Sequence, residues 1–160
     1  MNDFLGTDFE RQDGRVREVE LERQDAKTPR RQEEPTQAVD ALARLVIGAA
    51  IEVHKELGPG FPESVYEEAL CYELTQQAIV VERQYGVPVR YKGRLCGEGR
   101  IDIFVDRQLV LELKTVEQLH PKHKAQCKAY LQATQCQLAL LINFNEAVLS
   151  DGILRVVLTV

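Results

Sequence analysis

The sequence lacks several features that define large classes of proteins. No apolar run reaches the roughly 18 residues needed to span a membrane, and the charged N-terminus lacks the apolar core of a signal peptide. The four cysteines form neither a C-x-x-C pair nor a zinc-ligand spacing; they are Cys71, Cys96, Cys127 and Cys136. These absences favour a soluble, cytoplasmic protein with reduced thiols and no membrane partner.

An excess of positive charge is also missing. The 160 residues include 25 acidic and 20 basic side chains, which gives a net charge of −5 and argues against a protein that binds nucleic acid by charge alone. Residues 1–40 contain 11 of the acids and 7 of the bases, with few large apolar side chains. We therefore expect a disordered charged tail over residues 1–36 and one domain over residues 37–160.

Helical periodicity marks three segments of this domain. The first begins near residue 36, is apolar almost all round, and is predicted to be a central buried helix ending at Gly58-Pro59-Gly60. The second begins at Pro62 and extends to about Gln77. Its apolar stripe consists of Tyr66, Leu70 and Leu74, and Glu63 lies on the same stripe. The third helix is predicted over residues 122–133, after Pro121.

Strand patterns occupy the rest of the domain. They are predicted at residues 79–83, 87–91, 99–106, 109–116, 137–144 and 153–158. Polar turns at Lys92-Gly93 and at residues 106–108 join neighbouring strands into hairpins. The order of helix, helix, several strands, helix and two strands predicts an α/β domain whose mixed sheet is flanked by helices.

Two carboxylates and a lysine lie on the second predicted hairpin. Because side chains alternate along a strand, Glu112 and Lys114 share one face, and Asp102 is expected on the face opposite Ile101 and Ile103. The turn between the strands brings these groups together. Two carboxylates suit a hard cation such as Mg²⁺ or Mn²⁺, and such a metal with a nearby lysine is typical of phosphodiester hydrolysis.

Each of these residues also has a plain structural interpretation. The hairpin pattern fits a solvated amphipathic surface as well as a metal site. Glu63 either caps the first turn of its helix or joins the site. Gln126 and Tyr130 are four residues apart on the third helix, share a face, and either pack on the sheet or face the site. His120 and His123 indicate a surface or polar network rather than a metal.

Several short motifs follow one another between residues 41 and 157. The most distinctive is Gly60-Phe61-Pro62-Glu63-Ser64-Val65-Tyr66. The others lie at residues 51–59, 87–93, 97–98, 100–102, 112–114, 121–126 and 140–144. In these motifs the chain resembles the GxxExxY proteins, a family placed in the PD-(D/E)XK nuclease superfamily.

The resemblance implies a restriction-endonuclease-like αβββαβ core and a nuclease that uses Mg²⁺ or Mn²⁺, with DNA favoured over RNA as the nucleic-acid partner. Asp102 and Glu112 match the metal-binding carboxylates, and Lys114 matches the catalytic lysine. Glu63 corresponds to an acidic residue beside the metal. The catalytic set is completed by Gln126 and Tyr130, which resemble the Q-x-x-x-Y element of the RecB-like branch. Ile101 stands where the superfamily name has proline.

Two other functions remain open at this point. A nuclease-like fold can be retained as a module that binds nucleic acid or a protein without turnover. Such a module is expected to have a broken catalytic set, whereas the set here is whole. A phosphodiesterase acting on small nucleotides would use the same residues on a shorter substrate.

Overall fold

The computed structural model describes residues 34–158. Its elements are α1 (Gln37–Leu57), α2 (Glu63–Gln76), β1 (Val81–Tyr91), β2 (Arg94–Val105), β3 (Leu109–Lys114), α3 (Pro121–Thr134), β4 (Leu138–Asn143), a 3₁₀ turn (Leu149–Gly152) and β5 (Ile153–Val157). The stretch from α2 to β4 has the predicted αβββαβ order. Apart from residues 34–36, the predicted tail lies outside the described residues.

The five strands form one mixed sheet in chain order, β1 to β5. Neighbouring strands are antiparallel except for β3 and β4, which are parallel. A parallel pair requires a crossover connection, and α3 supplies it. The hairpin between β2 and β3 turns at Asp106 and Arg107, whose φ angles of 48° and 52° are typical of a type I′ turn.

Helices cover both faces of this sheet. α1 and α2 pack with one set of strand residues, including Leu111 and Leu140. α3 packs on the opposite set, including Val110 and Leu141. Alternate residues of β3 and β4 therefore enter different cores, as expected for central strands buried on both faces. The arrangement confirms the predicted α/β fold with a mixed sheet flanked by helices.

The first helix is less buried than its composition predicts. α1 buries one stripe that includes Val46 and Val53, whereas Leu45 remains 51% exposed. The prediction of a central buried helix is wrong because α1 lies in an outer layer and only one side of it meets the core. Within residues 34–158, no helix is both long and apolar enough to cross a membrane.

The two strands predicted at residues 79–83 and 87–91 form a single strand, β1. Its irregular point is Gln84, which has a φ of 50°. Cα pairing with β2 continues on both sides, from Arg83 with Ile103 to Tyr85 with Ile101. The polar residues between the two patterns therefore mark a distortion within one strand, not a break between two.

Candidate active site

The site lies where β2 and β3 stop pairing through their backbones. Their ladder extends from Val105 and Leu109 to Ile103 and Leu111. Beyond it, the Leu113 N–H donates to Oδ2 of Asp102 at 2.8 Å. The Asp102 N–H in turn donates to Oε1 of Glu112 at 3.4 Å. Each carboxylate thus takes the place of a backbone acceptor, which fixes both acids at the end of the hairpin.

The alternation of side chains along β2 is interrupted at Asp102, so that the residues on either side of it enter different cores. Ile103 packs in the core with α1 and α2, whereas Ile101 packs in the core with α3. Side chains two residues apart lie on the same face of a regular strand, so the expectation that these isoleucines share a face is wrong. The positive φ of Gln84 on the neighbouring strand lies at the same level, and the two irregularities together locate Asp102 at a twist in the sheet.

Lys114 lies beside the acidic pair. Its Nζ is 3.9 Å from Oε2 of Glu112, and the side chains are 18% and 2% exposed. Their shared face was predicted from strand alternation, and the structure brings them together as expected. The neighbouring Leu113 side chain points to the other face, into the core with α1 and α2.

The raised pKa values of Asp102 and Glu112 reflect the crowding of negative charge at this site. Burial raises the pKa of Asp102, while the hydrogen bond from Leu113 and the charge of Lys114 oppose that change. Burial, followed by the charge of Asp102, raises the pKa of Glu112 to about 8. One ammonium group therefore does not balance the buried Glu112 and the half-buried Asp102, and a bound cation would stabilise their ionised forms.

Glu63 approaches the same centre from α2. It is half-buried in the first helical turn. Burial raises the pKa of Glu63, the charge of Asp102 raises it further, and Lys114 lowers it. Glu63 therefore lies within electrostatic reach of both groups, and it also occupies the helix start where an anion is favoured. The two interpretations offered by the sequence are compatible.

The loop before α2 sets the position of Glu63. The Tyr66 hydroxyl donates to the Gly58 carbonyl and accepts from the Phe61 N–H at 3.2 Å. The Tyr66 ring stacks on Phe144, with centroids 4.5 Å apart. Gly60, with a φ of 112°, allows the chain to turn between these anchors. The buried tyrosine thus fastens the loop from which the helix and its glutamate start.

Three polar residues near Asp102 were not predicted from the sequence. Glu67 is buried and accepts from Arg83 Nε at 3.1 Å and from Gln84 Nε2 at 2.8 Å. Hydrogen bonding from the Gln84 side chain also lowers the pKa of Asp102, against the larger effect of burial. The available signal was the spacing of Glu67, one helical turn after Glu63, which extends the acidic face of α2 toward β1.

α3 contributes Gln126 and Tyr130 on the other side of the sheet. The Tyr130 hydroxyl accepts from Gln126 Nε2 at 3.2 Å and from the Arg100 N–H at 3.1 Å. A Cβ atom at Gly99 would lie 2.7 Å from Cε1 of Tyr130, so the tyrosine ring lies directly on the strand. These contacts attach α3 to β2 two residues before Asp102.

His120 and His123 serve the start of α3. The His120 N–H donates to Nδ1 of His123 at 3.0 Å, and the Lys122 N–H donates to Nδ1 of His120 at 3.5 Å. This reciprocal arrangement satisfies backbone donors that a helix leaves free at its N-terminus. It agrees with the predicted polar network.

The donor set fits a hard divalent cation. Mg²⁺ is commonly bound through one or two carboxylates and retains several waters, and Asp102 with Glu112 offers such a pair. Within the described residues, no three acidic, histidine or cysteine side chains are clustered closely enough to form a complete cage. The excess negative charge of the pair supplies the physical reason for a cation to bind there.

Comparisons with known proteins bear on this geometry. No curated protein matches the chain. The crystal structure of SSO0001 is similar over 57% of this chain and 46% of its own, with 19% identity and a TM-score of 0.42, so the chain spans less than half of that protein. The sequence model of the PD-(D/E)XK nuclease superfamily matches residues 40–156. This match covers well over half of the chain, which therefore belongs to the PD-(D/E)XK nuclease superfamily.

Proposed function

We propose that the protein is a Mg²⁺- or Mn²⁺-dependent nuclease that hydrolyses phosphodiester bonds of nucleic acid. One observation carries this proposal. Backbone N–H groups hold the carboxylates of Asp102 and Glu112 side by side where the pairing of β2 with β3 ends, and the Lys114 ammonium lies beside Glu112. Membership of a nuclease superfamily supports the same chemistry.

In this proposal Asp102 and Glu112 hold the metal ion. When bound, the cation lowers the pKa of its water and offsets charge on the phosphate. The backbone bonds from Leu113 and Asp102 keep the two carboxylates in fixed orientations before substrate arrives. Glu63 acts from α2, either directly on the metal or through a water molecule.

Lys114 is proposed as the catalytic lysine. Its ammonium group positions the attacking water and offsets the negative charge that develops on the oxygens of the pentacovalent phosphate. Its mostly buried location beside Glu112 strengthens such an interaction, because screening by water is reduced there.

Gln126 and Tyr130 are proposed to orient the catalytic groups. Tyr130 binds the backbone of β2 at Arg100 and accepts from Gln126. This arrangement holds the strand that carries Asp102 against α3.

We further propose that the chain is a GxxExxY protein within the RecB-like branch. The motif residues have separate structural roles that support this assignment: Gly60 turns the loop, Glu63 begins α2, and Tyr66 anchors the loop to the core. The Gln126 and Tyr130 pair supports the RecB-like branch in the same way.

Cleavage assays test the proposed function. Labelled single- and double-stranded DNA and RNA are incubated with Mg²⁺ or Mn²⁺, with EDTA, and with the variants Lys114→Ala and Lys55→Ala. We expect cleavage that EDTA abolishes and that Lys114→Ala reduces by about 10²- to 10⁴-fold, whereas Lys55→Ala on the exposed side of α1 retains it.

Other outcomes would favour the alternatives. Cleavage undiminished in Lys114→Ala would contradict the assigned site. Binding of nucleic acid by folded protein without turnover under any of these metal conditions would favour a catalytically silent module. Hydrolysis restricted to dinucleotides would favour a phosphodiesterase for small nucleotides.

A further inference from the structure

A two-stranded β-arm extends beyond the helices. It comprises residues 88–98, the distal parts of β1 and β2, and every one of these residues is exposed. The strands remain paired to the tip, where Tyr91 lies opposite Arg94 and Lys92-Gly93 forms a turn with φ angles of 49° and 79°. The arm is therefore an ordered ribbon with both faces open to solvent.

One face of the β-arm continues the side of the sheet that carries α3. Val87 is buried in the core formed with α3. Because side chains alternate along a strand, Val89 lies on the same side as Val87, and a register shift follows between Val89 and Arg90. Tyr91 is 67% exposed, and Lys92 Nζ lies 5.5 Å from the centre of its ring. An aromatic ring and a cation therefore stand together at the tip.

The sheet separates the charges of the described domain. The β-arm carries Arg90, Lys92 and Arg94 against the single acid Glu98. On the side of the sheet where Val87 is buried, α3 contains three lysines and no acidic residue. On the other side, α1 and α2 together contain seven acids and two bases. A polyanion is thus attracted to the β-arm and to α3, although the whole chain is acidic.

The β-arm leads directly to the candidate active site. It shares β2 with Asp102, and only residues 99–101 separate the two. Within that short connection, Tyr130 contacts Gly99 and binds the Arg100 N–H. A polymer lying along the arm therefore has a continuous path over β2 and α3 to the carboxylates.

We propose that the β-arm binds the substrate as duplex DNA, with Lys92 and Arg94 contacting backbone phosphates. This inference rests on the proposed nuclease function for the choice of nucleic acid. The B-DNA major groove is about 12 Å wide and admits a two-stranded β-ribbon, whereas the A-form RNA major groove is deep and narrow. The geometry of the arm therefore favours duplex DNA over duplex RNA.

Binding measurements in EDTA test the arm separately from cleavage. Full-length wild type is compared with Lys92→Gln/Arg94→Gln and with the control Arg44→Gln/Lys55→Gln. The control removes the same charge from exposed positions on α1, on the acidic side. Fluorescence anisotropy of a labelled duplex is followed between about 0.05 and 0.2 M salt, because each phosphate contact contributes about 0.9 to the slope of log K against log salt.

We expect the arm variant to bind the duplex about tenfold or more weakly than wild type at low salt, with a salt slope smaller by about 2. The control variant is expected to lose clearly less affinity for the duplex than the arm variant does. All three proteins should unfold at similar temperatures. Equal losses in the arm and control variants, or an unchanged slope in the arm variant, would overturn the proposal. Tighter binding of single strands or of duplex RNA than of duplex DNA would overturn it as well.

The arm and the nuclease function can fail independently. An arm-dependent loss of duplex binding without cleavage would support the arm and contradict the nuclease. Metal-dependent cleavage with unchanged binding by the arm variant would contradict the arm and leave the nuclease function intact.

Discussion

Asp102 and Glu112 face each other across the end of the β2–β3 ladder, and both are tied to the backbone of the hairpin. Oδ2 of Asp102 accepts from the Leu113 N–H, and Oε1 of Glu112 accepts from the Asp102 N–H. The pair is therefore built into the sheet instead of being carried on a mobile loop. Such fixed orientation is what a catalytic site requires of its supporting structure.

This arrangement predicts a pH dependence of stability in metal-free protein. The pKa of Glu112 is about 8 in the fold and about 4.3 in an unfolded chain. Between these values the unfolded state releases a proton that the folded state retains, so rising pH favours unfolding. The contribution of Glu112 to stability is thus fully present below its pKa in the unfolded chain. It is lost as the pH rises through its pKa in the fold, at about 8.

Urea unfolding in EDTA from about pH 4 to about pH 9 measures this effect. The loss of stability over this range should be smaller in Glu112→Gln, which cannot ionise. Glu56→Gln on the exposed surface of α1 serves as the control and should behave like wild type. Parallel pH profiles for wild type and Glu112→Gln would contradict the prediction.

The contact between Gly99 and Tyr130 predicts a difference between two neighbouring glycines. A methyl group at Gly99 meets the Tyr130 ring at 2.7 Å, whereas one at Gly97 has nothing within 4 Å. Gly99→Ala should lower the free energy of unfolding by about 1–3 kcal/mol. Gly97→Ala should change it by less than about 0.5 kcal/mol.

A double-mutant cycle assigns the Gly99 effect to its cause. In a Tyr130→Ala background the ring is gone, so Gly99→Ala should cost clearly less than it does in wild type. An unchanged cost in that background would show that the contact with Tyr130 is not the reason for glycine at this position.

Two adjacent glutamates on α2 should contribute differently to the stability of the protein, although both pair with Arg83. The Glu67 side chain is 6% exposed and that of Glu68 is 72% exposed. Glu67 also accepts from Gln84. Glu67→Ala should cost about 1–3 kcal/mol because it removes two hydrogen bonds to a buried carboxylate, one of them from a charged guanidinium. Glu68→Ala should cost less than about 1 kcal/mol, as is usual for exposed ion pairs. Equal costs in urea unfolding would contradict this assignment.

Much of the fold was predictable from local patterns. The spacing of Tyr66, Leu70 and Leu74 predicted the buried side of α2, and all three are fully buried. The polar turn after Val105 predicted the hairpin that brings Asp102 and Glu112 together. Both follow from periodicity and turn chemistry, which depend on residues close in sequence.

The remaining features depend on contacts between distant segments. The exposure of Leu45 follows from which layer α1 occupies, and its own helix does not specify that layer. The buried Glu67 depends on Arg83 and Gln84, 16 and 17 residues away. Likewise, the change of face at Asp102 arises where β1 and β2 twist together. Sequence spacing predicted that Asp102 and Glu112 lie close together, but it did not predict the hydrogen-bonded network that surrounds them.

Metal binding by an Asp102 variant tests whether Asp102 and Glu112 form the metal site. Mn²⁺ is titrated calorimetrically into wild type, Asp102→Asn and the control Asp106→Asn, whose changed residue lies in the exposed β2–β3 turn, and cleavage is assayed in the same preparations. We expect wild type and Asp106→Asn to bind Mn²⁺ and cleave nucleic acid, whereas folded Asp102→Asn does neither. Mn²⁺ binding and cleavage by Asp102→Asn at wild-type levels would contradict it.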